Sequence, residues 1–370
     1  MDFNTAENFI INKQSLGIKP GLSRIEKLLR KMGNPQESLK IIHIAGTNGK
    51  GSVAAMIANA LQKNGFKTGL FTSPWVTEYR EQIQINGEFI PKSDFAEYVA
   101  AYKDADATEF ELLTAIMYKY FADKSVDYAV VECGMGGLED STNAFSHPEL
   151  AVITCVAMDH MNFLGKTLPE IAVQKAGIIK SNSVCVLYPN PKCEDVFENR
   201  CTETGSRLIK IADYGDFKLN NLKTAEAALD FLNVKIAPAL PKLPARTEML
   251  ASNVMVDGAH NENGANALEK SLPHKNITAV VGMMADKDYE TMIGELLPLA
   301  IDFTTCTVEC ERALQADALA DCIRRKGIAA ASADDFASCF QRGRLDETHR
   351  TVAFGSLYFI GEIEALFEAK

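Results

Sequence analysis

Seven residues, Gly46-Thr47-Asn48-Gly49-Lys50-Gly51-Ser52, join an apolar strand pattern (Ile41, Ile42, Ile44) to a helical pattern that begins near Val53. A phosphate-binding loop needs that setting. Three glycines let backbone N–H groups turn towards one anion, and the helix N-terminus adds partial positive charge. Lys50 can reach the outer phosphates, and the Ser52 hydroxyl can ligate Mg²⁺. The common G-x-x-x-x-G-K-[ST] loop puts the hydroxyl directly after the lysine, whereas here Gly51 separates Lys50 from Ser52. The alternative is a strand-to-helix turn with no ligand. Against it, glycine, lysine and serine arrive in the right order between the right elements.

Beyond the loop, apolar runs at 68–72, 127–132, 150–156 and 184–188 alternate with helical patterns near 93–102, 110–123, 168–180 and 192–204. Such alternation predicts an α/β fold: a mostly parallel sheet covered by helices, with ligands at the carboxyl ends of its strands. Pro238, Pro241 and Pro244 fall within seven positions, which neither a helix nor a central strand tolerates. We therefore expect a nucleotide-binding domain over 1–237, a proline-rich linker over 238–246 and a smaller, Rossmann-like α/β domain over 247–370. In the latter, strands are expected near 253–257, 277–281, 301–306 and 350–354, with helices near 263–271, 288–297, 315–325 and 356–368. A chain of 370 residues is too long for one ordinary core.

The net charge of −11 argues against a general nucleic-acid binder. No apolar run reaches the length of a membrane span, and the N-terminus lacks the order of a signal peptide. The nine cysteines are scattered without a C-x-x-C pair and read as buried thiols of a reducing compartment. Cys306 and Cys310 lack the second pair or histidine that a metal site would need. A cytoplasmic monomer acting on small molecules is expected.

Acids and bases recur where strands end. Strand 127–132 delivers Glu132 ahead of Cys133-Gly134-Met135-Gly136-Gly137, where a magnesium ligand belongs, and strand 150–156 runs into Asp159 and His160. Lys175 lies in the helix that follows. Each has a plain reading as a strand end, a backbone-bonded imidazole or a surface charge; their joint placement around one phosphate loop points to a site. In the second half, a strand ends at Asp257 before Gly258, His260 and Asn261, a pair able to orient a nucleotide or steer a proton. Arg246 leaves the linker, where it could clamp phosphate or ribose.

Taken together, the chain resembles the folylpolyglutamate and dihydrofolate synthases, a branch of the Mur ligase superfamily. The matching features run in family order through nearly the whole chain. They are His43-Ile44-Ala45 with the glycine loop, Thr72-Ser73-Pro74, Phe110-Glu111 with Thr114, Glu132 before Gly134-x-Gly136-Gly137, Asp140-x-Thr142-Asn143 and Asp159-His160. Beyond these follow Lys175-Ala176-Gly177-Ile178, Asp257 to Asn261, Asp286-Lys287-Asp288 and Gly355-Ser356-Leu357-Tyr358. The inserted Gly51 is the family's own spelling.

The resemblance implies a Mur-type central domain with a Rossmann-like C-terminal domain. It also implies ATP-dependent addition of L-glutamate to a folate or pteroate through an acyl phosphate. By analogy, residues 46–52, Asn221, Arg246, Asp257 and His260 bind ATP, and Lys50, Lys175, Asp257 and His260 serve the chemistry. Ser52, Glu132, His160 and a carbamylated Lys175 would hold two Mg²⁺ ions. Thr72, Ser73, Pro74, Trp75, Phe110, Glu111 and Ser356 would meet the substrate.

Departures gather away from the phosphates. Trp75 stands where histidine is common, Arg80-Glu81-Gln82-Ile83 replaces Asn-Glu-Arg-Ile, Leu138 replaces an arginine, and Ala245 replaces the glycine before Arg246. The stretch from Lys180 to Asn221 is short for the family. Two other readings stay open: a Mur-type ligase joining a different carboxylate to an amino acid, and a nucleotide-binding module without catalysis.

Overall fold

Five consecutive buried residues, three of them isoleucine, form β1 (Ile41–Ala45), the centre of an eight-stranded sheet. A strand apolar on both faces must be covered on both. In the computed structural model, which describes residues 1–17, 19–272, 276–310, 312–341 and 350–368, β1 pairs in parallel with β5 (Tyr128–Glu132) and β6 (Leu150–Ile153). Beyond β5 lies β2 (Thr68–Phe71), followed by the short antiparallel strands β3 (Ile83–Ile85) and β4 (Glu88–Phe89). Beyond β6, β7 (Val184–Leu187) and β8 (Arg207–Lys210) continue in parallel.

Neighbouring strand residues alternate between two cores. Val152 and Val186 pack with α3 (Lys50–Lys63) and α9 (Phe217–Phe231), whereas Ile153 and Leu187 pack with α7 (Leu168–Ala176) and α8 (Glu194–Thr204). Because successive side chains of a strand point to opposite faces, the two helix pairs cover opposite sides of the sheet. At the β2 side, α1 (Phe3–Asn12) packs on α4 (Lys92–Tyr102), and α2 (Ser23–Lys31) on α5 (Glu109–Asp123). A single turn, α6 (Met161–Leu164), follows His160.

The second sheet has the order β13-β12-β11-β14-β10-β9 and is parallel except for β9 (Glu248–Ala251) against β10 (Val254–Val256). Its inner strands β11 (Ile277–Val281), β12 (Ala300–Thr305) and β14 (Arg350–Phe354) are nearly all buried, and β13 (Ala329–Ser332) forms the far edge. Met292 and Ile293 of α11 (Tyr289–Leu296) and Leu319 of α12 (Ala316–Arg325) pack with Leu268 of α10 (Glu262–Ser271) in one cluster. Phe340 of α13 (Phe336–Gln341) and Phe359 of α14 (Leu357–Glu368) belong to another. Both sheets are the helix-covered, mostly parallel α/β sheets that the alternation predicted.

By its contacts the chain divides into two units, Met1–Pro74 with Tyr79–Pro241, and Trp75–Glu78 with Lys242–Lys370. Four residues from the first half thus belong to the second unit. Trp75 stands edge-on to Tyr358 of α14 at 5.4 Å. A Cβ on Gly361 would lie 1.9 Å from the Val76 carbonyl oxygen, so no side chain fits there. Among the described residues no helix is long and apolar enough to cross a membrane.

Some boundaries differ from the sequence reading. α3 begins at Lys50 rather than near Val53, because Gly49, at φ 86°, forms its N-cap. The strand expected to reach 156 ends at Ile153, and the helix expected to reach 180 ends at Ala176.

Candidate active site

Strand order reverses about β1, with β5 on one side and β6 on the other, so the crevice at its carboxyl end is where an open α/β sheet takes ligands. The glycine loop occupies that point. Thr47 and Asn48 do not turn their N–H groups outward as the loop pattern suggested: both donate to the Cys155 carbonyl, at 2.7 and 3.3 Å. The Thr47 hydroxyl donates to the Ala157 carbonyl at 3.0 Å and accepts from the Ala157 N–H. The segment after β6 therefore holds the first half of the loop, which is why the strand stops short. Val53 N–H makes the first bond of α3, to Gly49 O. The N–H groups of Lys50, Gly51 and Ser52 precede it and are those a helix leaves for an anion.

Two glycines of the loop have separate reasons. Gly49 lies in the left-handed region, and a Cβ there would come within 2.6 Å of Asn221 Oδ1. Gly51 faces Glu132: its Cβ would sit 3.2 Å from Glu132 Oε2. Only a residue without a side chain lets the carboxylate approach the first turn of α3 unhindered.

Glu132 ends β5 beside Ile44 and is buried. Its Oε1 is 3.6 Å from Lys50 Nζ, which also donates to Thr47 O at 3.3 Å. Lys175, 2 % exposed, donates from Nζ to Gly46 O at 2.8 Å. Burial, and then the charge of Lys50, push its amine down to about 7. His160 adopts φ 49° and heads α6, with Nε2 3.9 Å from Asp159 Oδ2 and its N–H bonded to Asp159 Oδ1. Asn221 is buried on α9, its Oδ1 without a hydrogen-bond partner among the described residues. The structure thus brings together the glycine loop, Glu132, Lys175 and Asn221.

The expected substrate residues divide between the units. Thr72, Ser73 and Pro74 follow β2 in the first, with the Ser73–Pro74 bond cis. Trp75 belongs to the second, as does Ser356, which is buried ahead of α14. Phe110 lies against Gly134, where a Cβ would be 2.6 Å from the ring. Glu111 completes the capping box of α5 with Thr108, and Arg24 holds its carboxylate with Nη2 at 2.9 Å. Arg24 had no part in the sequence reading, since an arginine on an amphipathic N-terminal helix carries no signal of its own.

In the second unit, Asp257 accepts from the Thr247 and Ala259 N–H groups, both at 2.9 Å; burial raises its pKa and Arg246 opposes the rise. A Cβ on Gly258 would lie 2.6 Å from Arg246 Nη1, so the guanidinium rests on that glycine. His260 Nδ1 is 2.8 Å from Gly258 O. With Nδ1–H donating there, a neutral His260 carries its basic lone pair on Nε2.

The Mur ligase middle domain matches residues 44–258, and the Mur ligase glutamate ligase domain matches residues 245–356. The folylpolyglutamate synthase of Lacticaseibacillus casei is 35% identical, the match covering 74% of this chain and 78% of that protein. The chain belongs to the folylpolyglutamate and dihydrofolate synthase branch of the Mur ligase family. Another member, the dihydrofolate synthase/folylpolyglutamate synthase of Bacillus subtilis, is 29% identical over 98% of both chains. The Mycobacterium tuberculosis folylpolyglutamate synthase, solved with ADP and AMPPCP, superposes with a TM-score of 0.86 at 27% identity, covering 98% of this chain and 99% of that one. Within this Mur ligase, Ala245 adopts φ 56°, the left-handed conformation that the glycine expected there from the resemblance would hold without strain.

Proposed function

We propose that the protein is an ATP-dependent ligase that joins L-glutamate to the carboxylate of a folate, with dihydropteroate and tetrahydrofolate as the candidate acceptors. The observation that carries this reading is the gathering of Lys50, Glu132 and Lys175 about one glycine loop in a chain of this family. An acceptor carboxylate oxygen attacks the γ-phosphorus of ATP, the bond to the β–γ bridging oxygen breaks, and ADP leaves. The glutamate nitrogen then attacks the acyl carbon, phosphate departs and the amine loses a proton. Both steps depend on positioning and on neutralised charge.

Lys50 and the N–H groups at the start of α3 suit the phosphates. Asn221 Oδ1, without a hydrogen-bond partner among the described residues, is an acceptor suited to an adenine amino group. Arg246, Asp257 and His260 are assigned to the nucleotide, and His260 Nε2 is the candidate proton acceptor. Thr72, Ser73, Pro74, Trp75, Phe110 and Ser356 belong to acceptor recognition. Glu111 contributes through the start of α5, since its carboxylate is engaged by Thr108 and Arg24.

A magnesium site fits the residues present. Ser52 and Glu132 offer hard oxygen donors. Among the described residues no three His, Cys, Asp or Glu side chains group to hold an ion. When bound, Mg²⁺ supplies charge neutralisation at the phosphate oxygens. His160 and a carbamylated Lys175 would serve a second ion, and an amine pushed down to about 7 has the neutral fraction that carbamylation needs. A cytoplasmic monomer with no nucleic-acid partner completes the proposal, in keeping with the net charge of −11.

The test is phosphate release from ATP with Mg²⁺ and L-glutamate, run in parallel with dihydropteroate and tetrahydrofolate, and with product masses read for each. Release that depends on either acceptor, with a product one glutamyl residue heavier, is expected. Release that needs neither would point to a different carboxylate and overturn the folate assignment.

A further inference from the structure

Lys175 is useful only if it is held in register with Glu132, yet the two come from different segments, one from the helix α7 and the other from the end of β5. What joins those segments is a short set of contacts centred on Asn143. Its Nδ2 donates to Leu138 O at 3.1 Å and to Gly177 O at 3.3 Å. One amide thus spans the loop that begins directly after Glu132 and the turn at Gly177 that ends α7, two residues past Lys175. Leu138 N–H donates to Gln174 O at 2.7 Å. Two glycines bring the backbones this close: a Cβ at Gly177 would be 2.5 Å from Leu138 Cα, and one at Gly137 would be 2.9 Å from Gln174 O.

Lys180 holds the main chain of Asn143 rather than its side-chain amide. Its Nζ donates to Asn143 O at 2.9 Å and to Phe145 O, and lies 4.6 Å from the Phe145 ring centroid. Asn143 is 3 % exposed. Both N–H donors of its amide are thus engaged with backbone on either side. Loss of such a group leaves the buried Gly177 contact and the part-buried Leu138 contact without their donor and releases the two segments from each other.

We infer that Asn143 is a positioning residue that fixes Lys175 against the loop that follows Glu132, with Lys180 as its support. This rests on the proposed role of Lys175 in the ligase reaction. Asn143 touches no reacting group in this account and acts through the lysine alone.

A double-mutant cycle tests it, read as kcat and KM in the ligase assay. Asn143→Ala is expected to lower kcat about 10- to 100-fold, the scale of a small misplacement in a positioned site, with the KM for ATP unchanged. In a Lys175→Ala background the same change is expected to cost nothing further, because groups that act as one unit are not additive. Losses that multiply would place Asn143's effect elsewhere and overturn the inference, as would a full kcat in Asn143→Ala. A Lys175→Ala enzyme with wild-type kcat would remove the proposed role of Lys175 itself, which the single variant reports independently of the double one. Should Asn143→Ala not fold, Lys180→Met enters the same cycle with the same expectations. It retains bulk over Phe145 and removes the ammonium from the Asn143 carbonyl.

Discussion

His43 is a base that the fold keeps neutral. It is fully buried on β1, its Nε2 2.8 Å from Thr142 Oγ1 and 3.1 Å from Cys133 Sγ, and burial, with the charge of Lys180, pushes its pKa down to about 3. An unfolded histidine titrates near 6.5, so between roughly 6.5 and 3 the unfolded chain binds the extra proton and the native state loses stability as pH falls. The full effect is on the order of 5 kcal/mol, reached below pH 3, with none above 6.5. His43→Gln should therefore lose about 2–3 kcal/mol less than wild type between pH 7.5 and 4.5 in urea titrations; an equal loss in both proteins would contradict the assignment. Gly51→Ala should leave the melting temperature nearly unchanged yet lower kcat about tenfold, because the new methyl meets the Glu132 carboxylate. Unaltered kcat would mean that the carboxylate can yield without cost. The placement of Lys50, Glu132 and Lys175 about the glycine loop was legible in the sequence because each sits beside a strand end or in a motif. Asn143 was visible only as part of a motif without a role, since its two acceptors are backbone carbonyls, which no residue type announces.

At the scale of elements, α5 shows how a sequence fixes a helix start. Thr108 and Glu111 form a reciprocal capping box, and the first turn carries Phe110 against Gly134 in the loop that follows Glu132. Thr108→Ala should lower stability by about 1 kcal/mol in chemical denaturation, with acceptor KM rising more than ATP KM. A loss confined to ATP KM would detach α5 from the acceptor. The central strands were readable as apolar runs, whereas the edges were not. β8 spans Arg207-Leu208-Ile209-Lys210, charged at both ends, and β13 is Ala-Ala-Ala-Ser, of low β propensity; each is recognisable only by the neighbour it pairs with. α9 escaped notice for a related reason. It buries Asn220, Asn221 and Thr224 beside its alanines, so its inner face is not an apolar stripe.

At the scale of the molecule, the proline-rich tract drew attention to one crossing between the units, but the chain crosses near Pro74 and Glu78 as well. Four polar and apolar residues after a cis-proline carry no periodic signal, so this excursion could not be read in advance. Gly361→Ala should destabilise the second unit by about 1–3 kcal/mol, since the Val76 carbonyl leaves no room for a methyl. Gly294→Ala, with open space around it on α11, should not. Trp75 is the chain's sole tryptophan, so its emission follows the unfolding of that unit; coincident midpoints for the two variants would contradict the contact. The same excursion bears on any attempt to dissect the gene. A recombinant C-terminal half cloned from Lys242 onward omits the tetrapeptide against which α14 is built, and would present Tyr358 and Gly361 to water. Such a truncation should express poorly alone and recover when a synthetic peptide spanning residues 75–78 is added or fused back.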